Sequence, residues 1–575
     1  MKNDSLLIAI LTIPGLALAA PDVPRESRVV TGQHAVVATD SEFASRAGLE
    51  ILQAGGNAVD AAVAVSFALA VVRPYSTGLG GGAFTILRFA DGRVFVQDAR
   101  ESAPAAARAD MFVQALREHP EQSQPSRNGH LAVAVPGLVA GRCQLLERHG
   151  TLPLRRVIEP ALRLAETGFP VDKHYVKAVE RVSRIYAREP TLKARCPYVF
   201  HTHLRDGRLP KVGDVLKQPA LARLLRAIGE GGSEFFYRGP VATAIAREMR
   251  QSGGILNAKD LFEYRVKQRK PIRATYRDFE LILMPSPSSG GVAIAQTLNI
   301  LEVIDHKTLT KTDPHLAVHY QIEAMKHAFA DRARWFGDAD FSTVPIDRLV
   351  SKTYARELAA RLQPNAVQSS ETYGTRHGTP QWPSDAGTSH FCIVDEAGNV
   401  VVSSETINTS FGSLVAVDEW GLILNNEMDD FVTTPGEPNA YGLVQSERNT
   451  IEPGKRPLSS MAPTIVLRNG SPYLLAGASG GPRIISSVLN VMLGVLDRGL
   501  SLDEAVSAYR PHHQWQPDLV YFDTAPPPEV ATALIERGHR IAEKRKTGIV
   551  QAIMRTDAGW VGVSDPRKGG VPAGY

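Results

Sequence analysis

The sequence is poor in cysteine and, beyond its first twenty residues, in long apolar runs. Its 575 residues include three cysteines, Cys143, Cys196 and Cys392, which cannot all pair and whose spacing matches no common metal motif. We interpret them as isolated core thiols, with a Cys143–Cys196 disulfide as the alternative. No segment after residue 20 approaches the roughly 18 uncharged apolar residues of a membrane-spanning helix. These absences argue against a disulfide scaffold, a cysteine-held metal and a membrane span.

An excess of charge of one sign is also missing. The net charge of +4 is small for this length, which argues against a nucleic-acid-binding surface, and we interpret the basic stretch at residues 543–546 as a solvated face. The hydrophobic content of 43% and charged content of 22% are typical of a globular protein. The length allows one large domain or two moderate ones with a substantial core.

The first twenty residues differ from the rest of the chain. Lys2 precedes an apolar run over residues 6–18, which is broken by Pro14-Gly15 and followed by small residues. That pattern predicts a signal peptide over residues 1–19 and an exported protein, periplasmic or secreted. Asp4 offsets the charge of Lys2, and a buried N-terminal strand or helix is the alternative.

The N-terminal part shows helices followed by strands. Residues 41–54 have apolar side chains at helical spacing, and Asn57 is placed to cap a second, very apolar helix over residues 58–72. Strands follow at residues 83–89 and 94–97. Helices followed by antiparallel hairpins predict segregated layers, which means an α+β fold.

The pattern changes abruptly after the middle of the chain. Residues 105–360 are predicted to be mainly helical, whereas residues 364–387 are rich in Asn, Gln, Ser, Thr, Gly and Pro and show no periodicity. We predict an exposed segment there. From Thr388 to residue 424 the pattern is strongly that of β-strands. An unstructured segment that ends where a strand begins is typical of a processing site.

Thr388 starts a predicted hairpin. A three-residue loop at residues 396–398, with Gly398 in a left-handed conformation, sets a register in which Thr406 faces Thr388 and Asn408 shares their face. If the bond before Thr388 is cut, its free α-amine can act as the base for its own hydroxyl. The alternative is an ordinary half-buried hairpin with threonines in favourable strand positions.

A second motif has two interpretations. Gly477-Ala-Ser479-Gly-Gly481 satisfies G-x-S-x-G between a predicted strand, residues 473–476, and a predicted helix, residues 483–496, the setting of a serine nucleophile. The triad partners in the required order would be Asp503 or Asp518, then His539. Alternatively, Gly480 and Gly481 offer two backbone N–H groups as an oxyanion site.

Three further segments carry groups that can bind a zwitterion. Glu427 and Asp430 follow an apolar run, and their carboxylates could receive an ammonium group. Arg100 follows a predicted strand, and with Ser459 and Ser460 it could receive a carboxylate. The alternatives are a solvated acidic loop and a structural arginine.

These segments together resemble the γ-glutamyltransferase family over nearly the whole mature chain. The matching strings are residues 55–64, 80–82, 287–291, 425–431, 456–461 and 564–567. The resemblance implies a four-layer αββα sandwich of the N-terminal-nucleophile hydrolases. It also implies a precursor that cleaves itself between Gly387 and Thr388, leaving a large subunit (residues 20–387) and a small subunit (residues 388–575) associated as a heterodimer.

The resemblance also implies roles for individual residues. Thr388 would be the nucleophile, Thr406 its assisting threonine, and Gly480 and Gly481 the oxyanion site. The donor's α-amino group would meet Asn408, Glu427 and Asp430, and its α-carboxylate Arg100, Ser459 and Ser460. Tyr441 would lie in a lid loop at residues 435–446. Two departures from the family pattern are Pro482 after the glycine pair and Ser389 after the nucleophile; neither removes a required donor.

The expected activity is transfer of a γ-glutamyl group from glutathione and related compounds to water, an amino acid or a peptide, through an acyl-enzyme on Thr388. No metal or organic cofactor is implied. The rivals are an acylase of the same superfamily acting on cephalosporin-type side chains, and a non-catalytic binding protein.

Overall fold

The computed structural model describes residues 24–373, 387–433, 437–543 and 548–575. The predicted signal peptide lies outside these ranges. The same holds for most of the predicted exposed segment, the first residues of the predicted lid loop and most of the basic stretch near residue 545.

Helices and strands alternate in blocks along the described chain. The helices are α1 Arg25–Arg28, α2 Glu42–Gln53, α3 Ala58–Val72, α4 Met111–Glu118, α5 Leu138–His149, α6 Leu154–Thr167, α7 Lys173–Arg188, α8 Leu192–Arg195, α9 Pro197–Thr202, α10 Pro219–Tyr237, α11 Pro240–Gln251, α12 Ala258–Glu263, α13 Gly290–Val303, α14 His306–Thr312, α15 Pro314–Trp335, α16 Ile346–Leu349, α17 Lys352–Ala359, α18 Arg483–Leu496, α19 Leu502–Ser507 and α20 Pro528–Glu536. The strands are β1 Val29–Gly32, β2 Val36–Thr39, β3 Gly82–Arg88, β4 Val94–Ala99, β5 Phe169–Pro170, β6 Val215–Leu216, β7 Lys267–Arg269, β8 Ile272–Tyr276, β9 Phe279–Leu283, β10 Gly387–Val394, β11 Val400–Asn408, β12 Ala416–Val417, β13 Leu422–Ile423, β14 Thr464–Arg468, β15 Ser471–Ser479, β16 Pro511–His512, β17 Tyr521–Phe522, β18 Ile549–Thr556, β19 Gly559–Ser564 and β20 Ala573–Gly574.

Two antiparallel sheets form the centre of the molecule. One has the strand order β1-β19-β18-β15-β14-β9-β8 and the other β20-β2-β10-β11-β3-β4-β7. The sheets face each other where β10 packs on β15 and β18. Helix α3 covers the outer face of the second sheet, and α13 and α18 cover the first. The predicted four-layer αββα sandwich is therefore confirmed.

Burial explains why the layers segregate. All fifteen residues of α3 are buried, because the helix lies between β10 and β11 on one side and α2, α5 and α6 on the other. Its N-terminus is capped as the sequence indicates: the Asn57 side chain accepts from the backbone N–H of Val59 and Asp60. A helix that is apolar on every side needs such a position.

The predicted hairpin is confirmed. Strands β10 and β11 are buried along their whole length, Thr388 pairs with Thr406, and Gly398 has a φ of 86° at the loop. One irregularity was not predicted: Gly387 pairs with Asn408, so the register shifts between Gly387 and Thr388. This bulge bends the strand at the bond predicted to be cut.

Three other expectations have clear outcomes. The three cysteines are free thiols. The mainly helical interpretation of residues 105–360 missed β7, β8 and β9, two of which extend the first sheet. Among the helices of the described ranges, none is long and apolar enough to cross a membrane.

Candidate active site

The hydroxyl groups of Thr388 and Thr406 meet at the start of β10. Their Oγ1 atoms are 3.1 Å apart, and both side chains are buried. Thr406 Oγ1 also accepts a hydrogen bond of 2.8 Å from the backbone N–H of Asn408. Strand register therefore holds the two hydroxyls together without help from a flexible loop.

The carbonyl group of Gly387 points at the same pair. Thr406 Oγ1 donates to the Gly387 oxygen at 2.5 Å. A side chain at residue 387 would collide with the Thr409 carbonyl, because a Cβ built there would lie 2.4 Å from that oxygen. The glycine and the bulge thus bring the carbonyl of the bond before Thr388 to a hydroxyl that can stabilise an oxyanion on it.

Replacing Thr406 with valine is expected to slow cleavage of the Gly387–Thr388 bond about 100-fold, because one donor to the developing oxyanion is lost. The rate is read from a time course of newly made chain on a denaturing gel. Thr406→Ser, which keeps the hydroxyl, is the matched control and should cleave within about tenfold of the wild type. Equal rates for the valine variant and the wild type would contradict this role.

Asn408 turns the chain out of β11 beside the hydroxyl pair. Its φ of 74° is a left-handed conformation that non-glycine residues seldom adopt. Its Nδ2 donates to the Asn426 carbonyl at 2.9 Å, and Tyr441 Oη donates to its Oδ1 at 2.7 Å. The tyrosine ring also lies against Gly481, where a Cβ would be 2.6 Å from the ring. Tyr441 thus lines the cavity between Asn408 and Gly481.

Arg100 binds the carboxylates of Glu427 and Asp430. Directly after β4, its Nη1 donates to Glu427 at 2.5 Å and its Nη2 to Asp430 at 2.6 Å. Glu427 and Asp430 bracket a single 3-10 turn, in which side chains three residues apart lie on one side. The sequence predicted separate roles for the arginine and the acids, whereas in the structure they form one ion cluster.

Burial sets the protonation of this cluster. It raises the pKa of Asp430 to about 6, although Arg100 opposes the shift. It also raises the pKa of Glu427 well above its ordinary range, again against the pull of Arg100. Glu101, whose carboxylate is 3.5 Å from Arg100, has its pKa raised by burial to about 8. One arginine thus faces three carboxyl groups in a dry environment.

Ser459 and Ser460 line the same cavity on a loop held by residues 287–291. Ser459 N donates to Pro287 O at 2.8 Å, and Ser289 N donates to Ser459 O at 2.9 Å. Gly290 allows residues 287–291 to pack closely on this loop, since a Cβ at residue 290 would lie 2.6 Å from the Cβ of Ala462. Residues 287–291, one of the segments that carry the family resemblance, therefore hold the loop of Ser459 and Ser460 in place.

Gly480 and Gly481 connect β15 to α18 with φ values of 132° and 59°. Within the part of the chain that the structure describes, neither backbone N–H has a hydrogen-bond acceptor. Ser479 is the last residue of β15, and the partners that a serine triad needs lie elsewhere. His539 contacts His319 at 2.8 Å, Asp503 pairs with Arg25 at 2.6 Å, and Asp518 pairs with His513 at 3.1 Å. The serine-hydrolase interpretation is wrong for this geometry.

One cavity collects the predicted site residues except Gly480. Its lining comprises Arg100, Arg332, Thr388, Thr406, Asn408, Glu427, Asp430, Tyr441, Leu443, Leu458, Ser459, Ser460, Met461, Gly481 and Ile484. Arg332 and the apolar residues of this set were missed. Arg332 follows an acidic residue in an ordinary helical pattern, so the sequence carried no signal that it enters a site.

A four-layer sandwich in which a hydroxyl residue opens a central strand is the architecture of the N-terminal-nucleophile hydrolases, and this protein is of that class. A family model described as Gamma-glutamyltranspeptidase matches residues 44–575. The chain belongs to the γ-glutamyltranspeptidase family.

Individual relatives agree with this assignment. The chain is 40% identical to a glutathione hydrolase proenzyme of Escherichia coli K12, covering 97% of this chain and 96% of that one. It is 38% identical to an acylase ACY 1 proenzyme of Pseudomonas sp. strain V22, over 96% and 95%. Among solved structures, a cephalosporin acylase from Bacillus halodurans superposes with a TM-score of 0.83 at 29% identity, over 99% of both chains.

Proposed function

We propose that the chain is a γ-glutamyltransferase and glutathione hydrolase that becomes active by cutting itself between Gly387 and Thr388. The observation that carries this proposal is the single cavity in which a threonine pair faces both an acid–arginine cluster and a serine pair. The threonines supply a nucleophile, and the charged and hydroxyl groups supply partners for an α-amino acid head group.

In the precursor, the Thr388 hydroxyl attacks the Gly387 carbonyl carbon while Thr406 donates to its oxygen. The peptide nitrogen leaves as the new α-amine of Thr388, and an ester links Gly387 to the Thr388 oxygen. Water hydrolyses this ester. The products are a large subunit, residues 20–387 after removal of the predicted signal peptide, and a small subunit, residues 388–575. They stay associated because β10 and β11 of the small subunit pair with β2 and β3 of the large subunit.

In the mature enzyme, the free amine of Thr388 takes the proton of its own hydroxyl as the oxygen attacks the γ-amide carbonyl. The N–H groups of Gly480 and Gly481 stabilise the oxyanion. The amine then protonates the departing amino group, leaving a γ-glutamyl ester on Thr388. Water or the amine of an amino acid or peptide takes the glutamyl group and restores the hydroxyl.

The head group of the donor is a zwitterion, and the cavity has groups for both of its charges. Asn408, Glu427 and Asp430 accept from the α-ammonium, and Arg100, Ser459 and Ser460 donate to the α-carboxylate. Tyr441 covers the bound acyl group. Export of the protein is part of the proposal, and it rests on the signal peptide predicted for residues 1–19.

Inhibition by the product L-glutamate is expected to weaken about tenfold between pH 8 and pH 5. The pKa of Asp430 is raised by burial to about 6, so its ionised form dominates above that pH and falls to about a tenth at pH 5. The measurement is the inhibition constant of L-glutamate, with glutarate as the matched probe because it lacks the ammonium group. Weakening of both inhibitors by the same factor, or of neither, would contradict this role of Asp430.

An acylase acting on glutaryl side chains is the second candidate, favoured by the fold's close match to a cephalosporin acylase. Initial rates with a γ-glutamyl anilide and a glutaryl anilide separate the two. The proposal requires a kcat/KM at least about 100-fold higher for the γ-glutamyl compound, since the glutaryl compound lacks the ammonium group that Asn408, Glu427 and Asp430 would accept from. Comparable or faster glutaryl cleavage favours the acylase, and no turnover of either favours a binding protein.

A further inference from the structure

Arg332 is a second guanidinium in the cavity. It lies in the last turn of α15, its side chain is buried and it lines the cavity with the threonine pair. Its Nε donates to Ser289 Oγ at 3.0 Å, and Ser289 Oγ donates to the Ser459 carbonyl at 2.9 Å. Arg332 therefore enters the cavity on the side of the two serines.

The guanidinium of Arg332 has hydrogen-bonding capacity that no described residue uses. Nη1 of Arg332 is buried without a hydrogen-bond partner among the described residues, and within those residues no carboxylate lies at ion-pair distance from it. Burial lowers its pKa to about 10, while the charge of Asp430 opposes that shift, so it is a cation at neutral pH. A buried cation without a carboxylate at ion-pair distance is unfavourable, which makes an anionic ligand the natural complement.

The Nη and Nε groups of Arg100, in contrast, already have acceptors. Its two Nη atoms already donate to Glu427 and Asp430, and its Nε donates to the Pro457 carbonyl at 3.2 Å. One arginine next to two carboxylates has no net positive charge left to attract a third. A carboxylate entering beside Ser459 and Ser460 thus needs another cation, and the guanidinium of Arg332 is on that side.

We propose that Arg332 binds the α-carboxylate of the γ-glutamyl donor together with Ser459 and Ser460, as a second cation beside Arg100. This inference rests on the proposed γ-glutamyl activity. The two arginines then have different roles. Arg100 organises the acids that receive the ammonium and offers its remaining N–H groups, whereas Arg332 supplies the uncompensated positive charge for the carboxylate.

The test uses Arg332→Gln, with Arg332→Lys as the charge-retaining variant and Arg334→Gln as the control. Arg334 lies two residues along the same helix and is exposed. Two donors are compared: a γ-glutamyl anilide, and a 4-aminobutyryl anilide, which lacks only the α-carboxylate. Self-cleavage and thermal unfolding of each variant are recorded first, because a residue with only a structural role would change them.

Arg332→Gln is expected to cleave itself normally, to keep the midpoint of thermal unfolding within a few degrees, and to lose about 10- to 100-fold in kcat/KM on the γ-glutamyl anilide, mainly through KM. Its kcat/KM on the 4-aminobutyryl anilide should stay within about threefold of wild type. Arg332→Lys should recover part of the loss, and Arg334→Gln should match wild type on both donors.

Three results would overturn the inference: an equal loss on both donors, an unchanged KM for the γ-glutamyl anilide, or a loss confined to transfer to a dipeptide acceptor, which would assign Arg332 to the acceptor. Inability of the wild type to cleave the γ-glutamyl anilide would instead reject the proposed function. A wild type and an Arg332→Gln variant of equal activity would reject the inference alone.

Discussion

Thr388→Ala is expected to yield one uncut chain that hydrolyses a γ-glutamyl anilide at least about 10⁴-fold more slowly than the wild type. The substitution removes the hydroxyl that lies 3.1 Å from Thr406 Oγ1. Without it, the Gly387 carbonyl has no internal nucleophile, so no free α-amine forms. The same change therefore removes both the nucleophile and its base. A denaturing gel reads the first effect and anilide release the second.

Two variants accompany this prediction. Thr388→Ser keeps a hydroxyl and should still cleave itself, more slowly. Ser479→Ala removes the serine of the G-x-S-x-G motif, whose candidate partner His539 contacts His319 instead, and it should process and turn over like the wild type. An active Thr388→Ala variant together with an inactive Ser479→Ala variant would show that the nucleophile has been assigned to the wrong residue.

Arg100→Gln is expected to lower the free energy of unfolding by about 3 kcal/mol at pH 7.5 and to reduce kcat/KM for the γ-glutamyl anilide about 100-fold or more. The arginine is buried with Glu427 and Asp430, and its removal leaves those carboxylates without a counter-ion. The donor site loses its organisation at the same time. Denaturant unfolding measures the first effect and initial rates the second.

The stability loss caused by Arg100→Gln should become smaller as the pH falls. The pKa of Glu427 and that of Asp430 are already raised by burial, and removing the arginine raises them further. As the pH falls through these higher values, the folded variant takes up protons before the unfolded chain does, so its deficit against the wild type shrinks. Arg46→Gln, at an exposed position, is the control and should stay within about 0.5 kcal/mol. A deficit that grows at low pH would contradict the account.

Local patterns in the sequence were sufficient for the elements that carry the nucleophile. Strand alternation and a three-residue loop gave the Thr388–Thr406 pair, because a hairpin register depends only on residues close in the chain. Asn57 and the apolar run after it gave α3 for the same reason. The helix after the glycine pair, α18, has the bounds that its sequence indicated.

Features that depend on distant parts of the chain were not predictable in this way. The ion cluster joins Arg100 to residues more than 300 positions away, and the sequence assigned the arginine and the acids to opposite ends of a substrate without showing that they bind each other. Arg332 reaches the cavity only because α15 packs on α13, whose N-terminus holds the serine loop. Strands β8 and β9 were missed because only the pairing of β9 with β14, and of β8 with β9, places them in the sheet.

The central claim is that Thr388 becomes the catalytic nucleophile after the chain has cut itself. Denaturing mass spectrometry of the purified protein, quenched during turnover of a γ-glutamyl anilide, tests it most directly. The account predicts a fragment spanning residues 388–575 that carries the added mass of one γ-glutamyl group on Thr388. An intact chain that turns over the substrate, or a glutamyl group on any other residue, would contradict it.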